Sequence, residues 1–218
     1  MKKAIIFDFD GTLVHSFPLI YRSLNETCIK FLNKSFTEEE ILSKYGADEE
    51  GILMKLLKDK YTKEAFNYFL DLYKKYSSEM MPTLIPGLKD LLILLSNHNI
   101  PLYILTGRCI ETLEYSLNAL NIVSLFNKPY YVGSKIAMNK ASNINKLLSD
   151  NNYSNDEVIY IGDSINDIKA CNEANIDIIS VNYDKTIRTE NLSIFNKNTA
   201  KTVLNLKIML EKIFNINN

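Results

Sequence analysis

Asp8 and Asp10 stand two apart in the run Asp8-Phe9-Asp10-Gly11-Thr12. On an extended chain such positions project to the same side, so both carboxylates can face one site. Carboxylates that close repel each other. They stay ionised together beside a cation, or one keeps a proton and the two divide their roles. Gly11 frees the backbone to turn at once. A second run, Gly162-Asp163-Ser164-Ile165-Asn166-Asp167, sets Asp163 and Asp167 four apart at a helix start. The four carboxylates make an oxygen-only ligand set of the kind that suits Mg²⁺, and Mn²⁺ accepts the same donors. Thr106-Gly107-Arg108 offers a hydroxyl and backbone N–H groups at another helix start, a ready anion site. Asn139-Lys140 opens a further helix, and its lysine can neutralise both a phosphate and a carboxylate nucleophile. Each run also has a plain structural reading: an Asx turn, a βα turn, a helix cap, a solvated lysine.

Each of these runs follows or precedes an element that can position it. Lys3–Phe9, Leu102–Leu105, Val158–Ile161 and Ile176–Val181 are short, apolar, β-branched runs, and the first three end at Asp10-Gly11, Thr106-Gly107 and Gly162-Asp163. Between and after them, Gly87–Asn97, Ile110–Leu120, Lys140–Ser149, Asn166–Asn175 and Ala200–Phe214 carry helical spacing. Strands alternating with helices imply an α/β fold, a Rossmann-like parallel sheet covered on both faces. In open sheets of this kind, ligands bind beyond the carboxyl ends of the strands, where the four runs fall. Residues 17–81 differ. Helical patterns at Leu19–Leu32, Glu38–Tyr45, Glu49–Lys58 and Lys63–Met81 fill them without a strand. They read as an inserted all-helical lobe, with 1–16 and 82–218 forming the core and Pro18, Pro82 and Pro86 marking the hinges.

The four runs in this order resemble the four motifs of the haloacid dehalogenase-like hydrolase superfamily, and the insertion resembles the helical cap of its phosphoglycolate-phosphatase-like branch. The likeness extends over essentially the whole chain. It implies that Asp8 attacks phosphorus and carries an aspartyl-phosphate, while Asp10 protonates the leaving oxygen and then deprotonates water. It implies Mg²⁺ on the Asp8 side chain, the Asp10 carbonyl and Asp163, with Asp167 steadying the metal's shell. Thr106, Gly107 and Lys140, together with Gly11 and Thr12, would receive the phosphoryl group. Lys140 fits the helix-start position better than Lys135. Dehalogenases replace the second acid of the first motif; Asp10 retains it, which favours phosphate chemistry. The branch often carries an acid before the serine after that motif, where this chain has His15-Ser16. His15 and Arg108 are candidates for substrate contact, and Arg108 also reads as an ion-pair residue.

Composition narrows the surroundings. The 218 residues carry 25 Lys+Arg against 26 Asp+Glu, which argues against nucleic-acid and membrane partners. The apolar start Ala4-Ile5-Ile6-Phe7 is broken by Asp8 and Asp10, so no secretory signal is expected. Three widely separated cysteines read as free thiols, and two histidines exclude a histidine-rich metal site. The expectation is a cytoplasmic Mg²⁺-dependent phosphatase for a small phosphorylated metabolite, such as phosphoglycolate, a nucleotide or a sugar phosphate. It would act as a monomer or homodimer. A β-phosphoglucomutase-like transferase or a pyrophosphatase would use the same residues. A catalytically silent, phospho-regulated binding protein would not need Asp10 as an acid/base.

Overall fold

A computed structural model describes residues 1–80, 83–136, 139–183 and 191–216. Five parallel strands form one sheet: β1 (Ala4–Phe7), β2 (Leu102–Ile104), β3 (Val158–Gly162), β4 (Asp177–Val181) and β5 (Thr199–Ala200), in the order β2-β1-β3-β4-β5. Residues alternate between the two faces of a strand. Ile5 and Phe7 of β1 pack with α5 (Leu88–Asn97), α6 (Ile110–Ala119) and α9 (Val203–Phe214). Ala4 and Ile6 meet α7 (Lys140–Asp150) and α8 (Ile165–Glu173) on the other face. The sheet is therefore buried on both sides, which is why its strands read as continuous apolar runs.

The strand order reverses between β1 and β3. The chain leaves β1 for β2 on one side and then crosses back over β1 to reach β3. A crevice opens at such a reversal, beyond the carboxyl ends of the two strands. Asp8 follows β1 and Asp163 follows β3.

The lobe consists of α1 (Phe17–Leu32), α2 (Glu38–Leu42), α3 (Glu49–Leu57) and α4 (Lys63–Met80). Its apolar faces close on one another around Leu24, Leu53, Phe66, Phe69 and Tyr73. Pro18 sits in the first turn of α1, where a missing N–H costs nothing. Thr37 and Glu40 form a capping box on α2, and Asp48 caps α3 by accepting from the Gly51 N–H. Met81 and Pro82, where the lobe's expected boundary falls, lie outside the described residues.

Two details differ from the sequence reading. Ala200 is a strand residue, and the last helix starts only at Val203, after the Thr202 cap. Strand β5 is two residues long, too short to show a period. The chain's wealth of asparagine also has a structural use. Of seven non-glycine residues with positive φ among those described, six are asparagines: Asn33, Asn99, Asn121, Asn152, Asn175 and Asn215. Each follows a helix, where the left-handed conformation usually falls to glycine and asparagine tolerates it best after that.

Candidate active site

Asp8 and Asp10 sit in the turn just beyond β1. The Asp8 N–H still extends the ladder, donating to the Ile161 carbonyl at 2.9 Å. Gly11 follows with φ +81°, and a Cβ there would come within 2.2 Å of Asp163 Oδ2. Only glycine lets the turn of the first motif lie against the carboxylate of the fourth. Thr12 is buried beside it and donates to Asp163 Oδ1 at 3.5 Å.

Lys140 is the first residue of α7, whose cap residue Asn139 accepts from the Ser142 N–H. Its ammonium lies 3.1 Å from Asp8 Oδ1 and 2.5 Å from Asp167 Oδ1. Lys135 points elsewhere and pairs with Glu50 of the lobe at 2.9 Å. Asp167 is fully buried and doubly employed. It forms a capping box with Ser164 at the start of α8, and its other oxygen accepts from Lys140 and the Tyr160 hydroxyl. A Cβ on Gly162 would lie 2.8 Å from its carboxylate, so this glycine too is required by close approach.

Asp10 is held differently. Arg108 donates through Nε to both of its oxygens, at 3.0 and 2.9 Å, and through Nη2 to Oδ1 at 2.7 Å. Ser16 donates to the same carboxylate. The guanidinium is 2% exposed. Its Nη1 donates to the Tyr73 hydroxyl of α4 at 2.6 Å and to Ser116 Oγ of α6 at 2.9 Å. A chain of hydrogen bonds thus runs from the lobe through Arg108 to Asp10.

The electrostatics follow from burial. Removal from water pushes the Asp8 carboxyl up to about 6; Asp167 and Asp10 add to the rise, while Lys140 opposes it. Burial alone would lower the Lys140 ammonium, but Asp167 and Asp8 overcome this and hold it protonated. One carboxylate oxygen each from Asp8, Asp163 and Asp167 lie within 4.8 Å of one another. Three acids and one lysine leave excess negative charge, and every donor is oxygen. The set fits a hard divalent cation such as Mg²⁺.

Asp8, Asp10, Thr106, Gly107, Arg108 and Lys140 all line one cavity of about 430 Å³ between core and lobe. Thr106 is buried, and a side chain on Gly107 would meet open space. His15 is half-buried beside Val14 and does not line the cavity. The fold brings two further residues to the site, neither of which carries a functional signal in the sequence. Glu49, the first residue of α3, accepts from the Cys109 N–H at 2.6 Å and from Thr112 Oγ1 at 2.7 Å, clamping the lobe to the start of α6. Tyr73 looks like one more aromatic of the lobe core. Its signal would have been the hydroxyl, since a buried tyrosine needs a hydrogen-bond partner.

A carboxylate at the end of β1, a lysine beside it and an acid cluster at the strand reversal define a class. Residues 5–181 match the model of the haloacid dehalogenase-like hydrolases, and the chain belongs to that family. It is a phosphatase of the phosphoglycolate-phosphatase-like branch. The phosphoglycolate phosphatase of Colwellia psychrerythraea is 27% identical over 196 residues, covering 84% of this chain and 85% of that one. That of Synechococcus elongatus is 25% identical over 183 residues, covering 83% and 84%. Among solved structures, a haloacid dehalogenase-like hydrolase from Streptococcus pneumoniae superposes with a TM-score of 0.74 at 26% identity, covering 96% of this chain and 98% of that one.

Proposed function

We propose that the protein is a Mg²⁺-dependent phosphatase that hydrolyses a small phosphomonoester through a phosphoryl group carried on Asp8. The observation that carries this reading is the setting of Asp8. It is buried, touches the Lys140 ammonium, adjoins Asp163 and Asp167, and faces the same cavity as Asp10. An Asp8 carboxylate oxygen attacks phosphorus and the bond from phosphorus to the leaving oxygen breaks. Asp10 gives that oxygen its proton. Asp10 then takes a proton from water, which attacks phosphorus, releases phosphate and restores Asp8. In this reading Lys140, Thr106 and Gly107 receive the phosphoryl group from the cavity lining, and Gly11 and Thr12 support it from behind, against Asp163.

Asp8, the Asp10 carbonyl and Asp163 would hold Mg²⁺ or Mn²⁺, with Asp167 fixing Lys140 and the outer shell. The metal would supply neutralisation of charge on the phosphoryl oxygens. Arg108 and Ser16 keep Asp10 aimed at the cavity. The lobe, clamped through Glu49, keeps bulk water from the intermediate. The substrate is a small phosphorylated metabolite. The buried free thiols of Cys28, Cys109 and Cys171 accord with a cytoplasmic setting. Among the described residues, no helix is long and apolar enough to cross a membrane.

The test is phosphate release from a panel of phosphomonoesters and pyrophosphate, with Mg²⁺ and with chelator. Release is expected only with metal. Stoichiometric phosphate argues against a mutase. Conversion between sugar-phosphate isomers without release would overturn the reading.

A further inference from the structure

The cavity walls carry a charge count that bears on the leaving group. On the core side, Lys140 is committed to Asp8 and Asp167, and Arg108 is committed to Asp10. On the lobe side the wall is Ile20, Tyr45, Gly46, Ala47 and Ile52, with the acidic residue Glu49 among them. Glu49 cannot swing away, because both of its oxygens are tied to the start of α6. Among the described residues, the one further cation on the lining is Lys169. It is exposed on α8, one turn before Glu173, which also lines the cavity. The phosphoryl group itself takes the site beside Lys140. A second carboxylate or phosphate on the substrate would then leave water to lie against isoleucines and Glu49, with no counter-charge from the lobe.

We propose that the leaving group is an uncharged alcohol with an apolar face, rather than a second anion such as the carboxylate of phosphoglycolate. The inference rests on the phosphatase reading above and adds the substrate class. The cavity of about 430 Å³ agrees with it, since it lies in the range that houses ligands much larger than a two-carbon acid. The apolar face would rest on Ile20, Ile52 and the Tyr45 ring. Hydroxyls would face Asn139 and Asn166, which line the opposite wall.

Matched pairs of compounds test this. Carboxymethyl phosphate, which is phosphoglycolate, differs from 2-hydroxyethyl phosphate by little but the charge on the leaving group. A nucleoside 5′-monophosphate and phenyl phosphate extend the uncharged series. The uncharged member should have the higher kcat/KM by about tenfold or more, since unpaired like charges are strongly disfavoured at a desolvated surface. Tyr45→Arg, which places a cation on the lobe wall, should shift the ratio toward phosphoglycolate. If phosphoglycolate wins in the unaltered enzyme, the proposal alone falls. If Lys169→Ala then abolishes that preference, Lys169 is the receptor of the second anion. If no compound is turned over at all, the phosphatase reading fails and the proposal falls with it.

Discussion

The core and the lobe meet the cavity on different physical terms. The core brings four carboxylates, an ammonium and a guanidinium to the ends of its strands, and both of these cations are already paired there. The lobe brings apolar side chains to the same space. Its polar groups are spent on holding the core: Glu49 on the start of α6, Tyr73 on Arg108, Glu50 on Lys135. The difference teaches a division of labour. The groups proposed to act on the phosphoryl group sit just beyond the sheet or at a helix start on it, where parallel ladders and two buried faces fix the backbone. In the proposed function the lobe would set what fits beside them, and its Tyr73 is linked to Asp10 through one arginine. Even the two acids of the first motif share this division. Asp8 is held wholly by the core, whereas Asp10 is linked to the lobe through Arg108 and Tyr73.

The largest expected effect comes from the core. Lys140→Met leaves Asp8 and Asp167 buried beside each other without their cation. Removing one partner of such a buried pair costs about 3–5 kcal/mol, and denaturant unfolding should show a loss of that order. Turnover should fall by about a hundredfold or more, the cost of losing one donor to developing negative charge. A fully active, equally stable variant would break the comparison on the core side.

Tyr73→Phe should have a smaller and different effect. It removes the hydroxyl that binds Arg108 Nη1 and Ser116, a loss of about 1 kcal/mol of stability. If the lobe positions Asp10 through Arg108, kcat should fall with little change in KM. A variant with lower stability and unchanged kcat would show that the link is only structural.

Glu49 gives the smallest effect, and one with a sign. Burial raises its carboxyl above the ordinary 4.5, with Arg108, Thr112 and the Cys109 N–H opposing the rise. A raised folded value means that the contribution to stability is fully present below the ordinary value and is lost as pH climbs through the folded one. Glu49→Gln can keep one acceptor for Cys109 and donate to Thr112. The stability difference between unaltered protein and variant should therefore shift against the unaltered protein as pH rises from 4 toward neutrality. A difference independent of pH would contradict the burial of an ionising Glu49.

The same contrast explains what could be read from the chain. The four longer strands announce themselves as short apolar runs, three of them stopped at a glycine, and Asp8, Thr106 and Asp163 lie just beyond those three. Helix-start chemistry favours Lys140 over Lys135; the first lies beside Asp8, and the second, in the loop before α7, pairs with Glu50 of the lobe. The lobe's contributions gave no such signal. Glu49 is one of three consecutive acids before an apolar helix, where capping and the helix dipole already account for it. Tyr73 falls in the aromatic stripe of α4. The Asp10–Arg108 pair spans 98 residues, so only the fold brings it together. Strand β5, two residues long, has no local signature and exists by pairing with β4.

The most direct test of the central claim is to trap the phosphoryl group. Asp10→Asn leaves the attacking carboxylate intact but removes the base that activates water. The variant would be mixed with Mg²⁺ and an aryl phosphate, whose leaving group needs no proton, then quenched in acid and digested for mass spectrometry. A phosphoryl group on the peptide that contains Asp8 is the predicted result. No phosphorylated peptide, or phosphorylation elsewhere, from a compound that the unaltered enzyme hydrolyses would contradict the account.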